Sequence, residues 1–406
     1  MPQTAWDEAR EAQWRVEMVA VIASAVRTAV ATARRGSLID VPTEVLARHI
    51  LTAAIDRSGL APELIDDVIF AESLYGGGAV ARHAAVEAGI LNAGGMALNR
   101  HCAGSLSSIA VAAGSIIAGM DRAIVAGGVH SSSFMPMLSW RTPGSDDYSD
   151  TRSPPTHPDE PEAPNNDMTI TVGWSAAQAA GLSREEQDAW AFRSHQRAIA
   201  ATDGGRLTEE IVPIRVQRRD GTEFDFAVDE HPRRDTSMER LGSLKVIHPE
   251  IEGFSITAGN SSGINDAAAA LLVVDEAFAR AEGLEIMARV RGWCSVGVPP
   301  RDTGTSVIRV LPKLLGRTGV AQADIAIWEI NEAFASVPLA TCRQLGIDEE
   351  TVNVSGSGCS IGHPIAASGA RMVTSLIYEL RRRGGGLAVA AMCAGGGQAG
   401  SLMIEV

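Results

Sequence analysis

Apolar residues come along this chain in short dense runs, divided by stretches of helical spacing. "EMVAVIASAVRTAV", residues 17 to 30, predicts a first strand and turn after a short amphipathic leader. "VPTEVLARHILTAAIDRSGL" repeats its apolar positions at helical spacing, with Thr43 as N-cap and Gly59 at the C-terminal end. "IDDVIFAES" reads as the next strand. Past the glycines of "YGGGAVARHAAVEAGI" come a short strand in "GGMALNR", then Cys102, a helix over "SLSSIAVAAGSIIAG" and a strand over "RAIVAGGV". Strands alternating with helices predict an α/β architecture.

The pattern stops near residue 130. "SWRTPGSDDYSDTRSPPTHPDEPEAPNND" is rich in Pro, Asp and Ser without hydrophobic period, which marks a long insertion or surface loop. Inside it, "SREEQDAWAFRSHQRAIAATDGG" predicts an amphipathic helix opened by a capping box of Ser183 and Glu186. The alternation resumes at "FSITAGNSSGINDAAAALLVVDEAFAR", and the order of elements then repeats. "IMARVRGWCSV" echoes the first strand, "IGHPIAASGARMVTSLIYELRRRG" is a second helix of small residues, and "GLAVAAMCAGGGQAG" parallels "DRAIVAGGVHSSS". Two similar halves follow, 1–129 with 252–280 and 281–406, the first carrying an insertion over 130–251.

Composition narrows the function. At 406 residues the chain is long enough for two or more packed domains. A formal charge of -14 argues against a general nucleic-acid surface. No window holds the eighteen or so uninterrupted apolar residues that span a bilayer, because Asp121 and Arg122 cut the best one. The N-terminus has no apolar core of a secretory signal, so a cytoplasmic location is expected. Cys102, Cys294, Cys342, Cys359 and Cys393 are scattered and form no CxxC pair, which reads as free thiols.

Four places combine reactive side chains with small residues. Cys102 precedes a helix, where unsatisfied N–H groups and the macrodipole favour a thiolate; a small buried hydrophobe is the alternative. In "NVSGSGCSIGHPIAASGA", His363 stands between Gly362 and Pro364 at the opening of a helix, a setting for a base rather than for core packing; a histidine merely satisfied by a hydrogen bond is the alternative. In "AAMCAGGGQAG" a strand delivers Cys393 into glycines that expose backbone N–H groups to a developing oxyanion; a packed cysteine before a tight turn is the other reading. In "WEINEAFAS", Asn331 and Glu332 end a hydrophobic strand, a usual position for site residues in α/β folds.

In the order Cys102, "NEAFA", "GHP", Cys393, these segments resemble the thiolases, which make or cleave β-ketoacyl-CoA thioesters. "NRHCAGSL" resembles the family's nucleophile segment, "ITAGNSSGINDAAAALLV" its signature before the second half, and "NEAFA", "IGHPIAASGAR" and "CAGGGQ" its C-terminal motifs. "SREEQDAWAFRSHQRA" and "DEHPRRDTSMERLGSLK" look like the family's loop domain. The resemblance runs from about residue 17 to the C-terminus. It implies a thiolase fold: two similar βαβαβαββ halves packed as a five-layered α-β-α-β-α core with an inserted loop domain.

The same resemblance implies roles. Cys102 would be the nucleophile that takes the acyl group, His363 its base, and Cys393 the acid or base at Cα of the second acyl-CoA. Asn331, through a water and with His363, would form one oxyanion hole; the N–H groups of Cys102 and Gly395 would form the other. Ser262 would contact the pantetheine arm of CoA, with Ala258 in the same tunnel and Met168 in the segment that shapes the acyl pocket. Among Arg218, Arg219, Arg233 and Arg234 some would pair with CoA phosphates, against the alternative of a solvated charged face. CoA and acyl-CoA or 3-ketoacyl-CoA enter as substrates, with no cofactor and no metal. No nucleic-acid or membrane partner is expected, and a homodimer or homotetramer is.

The chain also departs from the family pattern. The usual "HMGxTAENVA" reads "DMTITVGWSAA", with Asp167 where a histidine often stands, which puts the acyl group in doubt. Ala267 and Ala366 replace common glycines, and "RTAVATARRGSL" lacks the usual Pro-Gly. Three alternatives remain beside a degradative thiolase: an acetoacetyl-CoA-forming biosynthetic thiolase, a β-ketoacyl synthase-like condensing enzyme, and a non-catalytic acyl-CoA-binding scaffold. The second cysteine in "CAGGGQ" points away from the synthases.

Overall fold

A computed structural model describes residues 18–75, 77–150 and 153–406. The leader expected before the first strand lies outside the described residues. In the first half, β1 (Ala20–Arg27) and β2 (Ala31–Thr32) lead to α1 (Thr43–Ser58), β3 (Asp67–Ala71), α2 (Val80–Glu87), β4 (Met96–Leu98), α3 (Gly104–Ile117) and β5 (Ala123–Ser131). The insertion carries α4 (Arg184–Asp203) and the hairpin β6 (Ile214–Gln217) and β7 (Glu223–Phe226). The chain re-enters the sheet through β8 (Asn265–Asp275). β9 (Ala288–Gly297), α5 (Ser306–Thr318), β10 (Ile325–Ile330), α6 (Ser336–Leu345), α7 (Ser368–Arg383), β11 (Leu387–Ala394) and β12 (Gln398–Glu405) complete the second half.

The strands run in the order β4-β3-β5-β8-β1 in the first half and β10-β11-β12-β9 in the second. Val352 bridges Trp328 in parallel beside β10, so it takes the place of β4. The pairings also match: β3 is parallel to β4 and β5, as β10 is to β11, while β8 and β12 run antiparallel to their neighbours. The two halves of this sheet path join where Val21 and Ile22 pair with Arg289 and Ala288.

Core membership resolves the layers. Along β8, Ala268, Ala270, Leu272 and Val274 pack with α1 and α2, whereas Ala269, Leu271 and Val273 face α3 and α7. Along β11, Ala388, Ala390 and Met392 face α3 and α7 from the other side, and Val389, Ala391 and Cys393 pack towards α5 and α6. The order is therefore helix, sheet, helix, sheet, helix. Strands buried on both faces need no polar alternation, which is why "NDAAAALLVVD" is a continuous apolar run. Small residues in the middle layer let the two helices approach closely. A Cβ on Gly369 of α7 would lie 2.6 Å from the Leu106 nitrogen of α3.

Two boundary expectations are corrected. Thr43 is the first helical residue of α1; Pro42 takes the cap position and no side chain caps the helix. Gly59 does close it, at φ 74°. α7 starts at Ser368, so His363 stands in the turn five residues ahead of the helix rather than at its opening. The capping box of Ser183 and Glu186 is present at the start of α4.

Candidate active site

The two central helices start at the same end of the middle layer, and the turn before each brings one reactive side chain. Cys102 follows β4 and stands two residues ahead of Gly104, the first residue of α3. Its neighbour His101 has a left-handed backbone, φ 44°, and accepts a turn bond from the Gly104 N–H at 3.0 Å. The backbone N–H groups of Gly395 and of Cys102 itself stand near enough to the Cys102 sulfur to act on it. These contacts favour the thiolate, as does the helix start. Burial outweighs them and pushes the thiol up to about 11, so the resting group is a neutral thiol. The expectation of a favoured thiolate is corrected on that ground.

His363 is held from three sides. Its backbone N–H donates to Asn265 Oδ1 at 2.9 Å, and the Asn265 amide in turn donates to the Ala31 carbonyl. Gly362 ahead of it has φ 110°, and a Cβ there would lie 2.5 Å from Asn265, so glycine is required. Ser368 Oγ lies 2.7 Å from His363 Nδ1 and donates its own proton to the Pro364 carbonyl at 2.9 Å. The hydroxyl has one proton, so it accepts from Nδ1–H and leaves the Nε2 lone pair open. Burial, with His130 and Arg371 nearby, pushes the imidazole down to about 3. The ring is therefore neutral.

Asn331 follows the last residue of β10 and is fully buried. Its Nδ2 is 3.5 Å from both His363 ring nitrogens, too long and too face-on for a directed bond, and its Oδ1 has no partner among the described residues. The amide and the imidazole can thus share a third atom between them. Cys393 lies near the end of β11 with its thiol far above the ordinary value, through burial first and the neighbouring Cys102 second. Glu332, the other half of the polar pair, is a structural anchor. It accepts from Trp190 Nε1, the Ser194 hydroxyl, Asn353 Nδ2 and the Cys359 N–H at 2.6 to 3.1 Å, fastening α4 to the second half.

The remaining candidates separate. Ala258 and Arg233 line one cavity of about 270 Å³ together with His195, His231, Ser243 and Leu244. Arg233 forms no ion pair among the described residues, whereas Arg234 is paired with Asp203 at 2.5 Å and Arg219 with Asp40 at 2.9 Å. Arg218 lies over the Phe224 ring at 4.5 Å. Ser262 is outside that lining; its N–H donates to the Ala333 carbonyl beside Asn331. Met168 precedes a π-helical turn, Thr169–Trp174, that packs on the α5 and α6 side. Asp167 bonds the Thr169 N–H and hydroxyl and, at 2.8 Å, His248 Nε2. Among the described residues no group of three His, Cys, Asp or Glu side chains is placed to hold a metal ion.

Asn265, Ser368 and His130 carry no local sequence signal of the roles they take here. Asn265 lies inside a quoted signature without a role, and Ser368 was one small residue among many. His130, buried on β5, donates from Nδ1 to the Ser73 carbonyl and accepts at Nε2 from Ser132, and burial pushes it down to about 4.

Residues 20–277 match the family model described as "Thiolase, N-terminal domain", and residues 284–406 match "Thiolase, C-terminal domain". The chain is 37% identical over 399 residues to the acetyl-CoA acetyltransferase of Escherichia coli strain K12, covering 95% of this chain and 98% of that protein. It is 35% identical over 402 residues to the 3-ketoacyl-CoA thiolase of Bacillus subtilis strain 168, covering 95% and 99%. The crystal structure of the Bacillus anthracis acetyl-CoA acetyltransferase superposes with a TM-score of 0.87 at 34% identity, covering 96% of this chain and 99% of that one.

Proposed function

The chain belongs to the thiolase family and is an acyltransferase of that kind, and from this premise we propose how its own residues divide the reaction. The observation that carries the reading is that the Gly395 N–H, two residues past Cys393, acts on the Cys102 sulfur. One short turn thereby sets the second thiol and an oxyanion donor beside the nucleophile.

In the first half-reaction the Cys102 sulfur attacks the thioester carbonyl and its proton passes to the open Nε2 of His363. The carbonyl oxygen, now negative, is held by the Cys102 and Gly395 N–H groups. The C–S bond to CoA breaks, the proton returns to the leaving sulfur, and the acyl group stays on Cys102. In the second, the Cys393 thiol first passes its proton to the open Nε2 of His363; the resulting thiolate removes a proton from Cα of another acyl-CoA, and the enolate oxygen is held between the Asn331 amide and the His363 Nε2–H. The carbon then attacks the acyl carbon, the C–S bond to Cys102 breaks, and the departing Cys102 thiolate takes the proton back from His363. Thiolysis runs the same steps backwards, so direction follows the concentrations of CoA and substrate. Neutral resting groups suit this cycle, because charge appears only when substrate has displaced water.

CoA enters as substrate and no further cofactor takes part. Of the arginines considered for its phosphates, Arg233 is the one supported, since it faces the cavity with Ala258 and has no carboxylate pair among the described residues. The reaction class supports a place in fatty-acid metabolism, β-oxidation included, in the cytoplasm; no helix among the described residues is long and apolar enough to cross a membrane. A homodimer or homotetramer is supported by exposed apolar residues of the first half: Met96 on the edge strand β4, Val111 and Ile117 on α3, and Met120 just past it.

The test is turnover of 3-ketoacyl-CoA with free CoA across short, medium, long and ring-bearing chains. Thioester cleavage in any of them is expected; binding without cleavage throughout would favour a scaffold.

A further inference from the structure

The insertion returns to the active site through a proline-rich strap, residues 153–164, that none of the motifs marks. Pro154, Pro155 and Pro158 point outward and are exposed, while Thr156 is half-buried and His157 is buried. His157 Nε2 lies 2.7 Å from the Ala163 carbonyl oxygen and donates to it. Its Nδ1 is then an acceptor for the Thr156 hydroxyl, also at 2.7 Å. One imidazole thus closes the strap on itself, and Ala163, fully buried, anchors the far end.

The closed strap rests on the glycine turn that follows Cys393. A Cβ on Gly395 would lie 3.1 Å from the Thr156 methyl carbon and 3.6 Å from His101 Cγ. A Cβ on Gly396, at φ 81°, would lie 2.7 Å from the Thr156 carbonyl oxygen. Gly395 is therefore packed between Thr156 and His101, and its N–H acts on the Cys102 sulfur. A left-handed backbone at a non-glycine residue such as His101 persists only when its surroundings fix it. Thr156 and His101 together back the glycine whose N–H acts on the Cys102 sulfur.

An acyl-enzyme has to survive until the second substrate arrives. Its competing fate is hydrolysis: water oxygen bonds to the acyl carbon, the C–S bond to Cys102 breaks, a free carboxylic acid leaves, and a water proton ends on the sulfur. The same N–H groups that favour transfer would favour this reaction. Only exclusion of water separates the two.

We infer that Thr156 is a positioning residue whose methyl group, seated on Gly395, keeps water from the acyl-Cys102 carbonyl. This role rests on the reading of Cys102 given above. Thr156→Ser and Thr156→Ala delete the methyl, and Thr156→Val keeps methyl bulk while losing the hydroxyl. Each enzyme is loaded with radiolabelled acetyl-CoA and freed of excess by gel filtration; release of acetate is then followed without CoA, and return of label on adding CoA is followed in parallel. Thr156→Ser and Thr156→Ala should release acetate about 10-fold faster than the unaltered enzyme, with Thr156→Val within about 2-fold of it. Label returned to CoA at the unaltered rate shows that each variant is folded. Equal acetate release in all four enzymes would overturn the role of Thr156 and leave Cys102 untouched, and so would acceleration in Thr156→Val as large as in Thr156→Ser. No covalent label on the unaltered enzyme would overturn the Cys102 reading itself, and this role with it.

Discussion

The two halves share a strand order, a pairing pattern and a central helix, yet they supply different chemistry. The turn between edge strand and central helix carries Cys102 in the first half and His363 in the second. The end of β3 leads into Glu72 and Ser73, whereas the end of β10 leads into Asn331 and Glu332. The third difference is the largest. β11 turns back to β12 through three glycines, but after β5 the chain wanders through the whole insertion before it returns as β8. A repeated scaffold thus offers equivalent positions around one site, and the exits from its strands decide what stands there.

The strongest way to break this division is to remove one thiol from each half. Cys102→Ala should lose turnover by about 10⁴-fold or more and show no acyl adduct by intact mass after acetyl-CoA. Cys393→Ala should still show the adduct while condensation fails. An adduct of normal yield in the Cys102 variant would sink the assignment.

The insertion can be tested where it is fastened to the first half. Arg27 at the end of β1 is fully buried and bonds Glu210 at 2.6 Å and Asp229 at 2.8 and 2.9 Å. Arg27→Met leaves two buried carboxylates without their cation, and should cost about 3–5 kcal/mol in denaturant unfolding. A loss within about 0.5 kcal/mol would show that the insertion docks by other means.

Asn331 serves only the second half-reaction in the proposed cycle. Asn331→Ala should lower condensation by about 10²–10³-fold, the usual effect of losing one oxyanion donor, and leave the acylation rate of Cys102 near normal. Equal losses in both steps would merge the two oxyanion holes into one.

The neutral resting pair predicts a pH signature. Alkylation of the unloaded enzyme at Cys102 should keep rising well past pH 9, as a thiol near 11 requires; a plateau near neutrality would mean a thiolate–imidazolium pair instead. His363 adds a stability term. Its folded value, about 3, lies below the ordinary 6.5, so the unfolded chain takes up the extra proton between those limits. Its contribution is whole above pH 6.5 and falls as pH drops towards 3.

The smallest effect compares a capped helix in the insertion with an uncapped one in the first half. Ser183→Ala removes both partners' reason to meet in the capping box and should cost about 1 kcal/mol. Thr43→Ala should stay within about 0.5 kcal/mol, because Thr43 caps nothing.

Much of this protein was legible from one dimension. Periodicity and glycine punctuation placed β1, α1, β3, α3, β5, α4 and β11, because burial on both sheet faces and capping chemistry act over a few residues. Residue types in local frames picked out Cys102, His363, Cys393 and Asn331. What the folded chain alone decided is how those residues are held and charged. Thr43 lost its cap to Pro42, and Cys102 became a neutral thiol, since enclosure by distant segments outweighs a helix start. Asn265 grips His363 across 98 positions, Thr156 reaches Gly395 across more than 200, and among the described residues Arg234 is paired while Arg233 is not. Local sequence fixes which groups exist and which element carries them; desolvation and hydrogen-bond partners come from whatever the fold packs against them, and no short window contains that information.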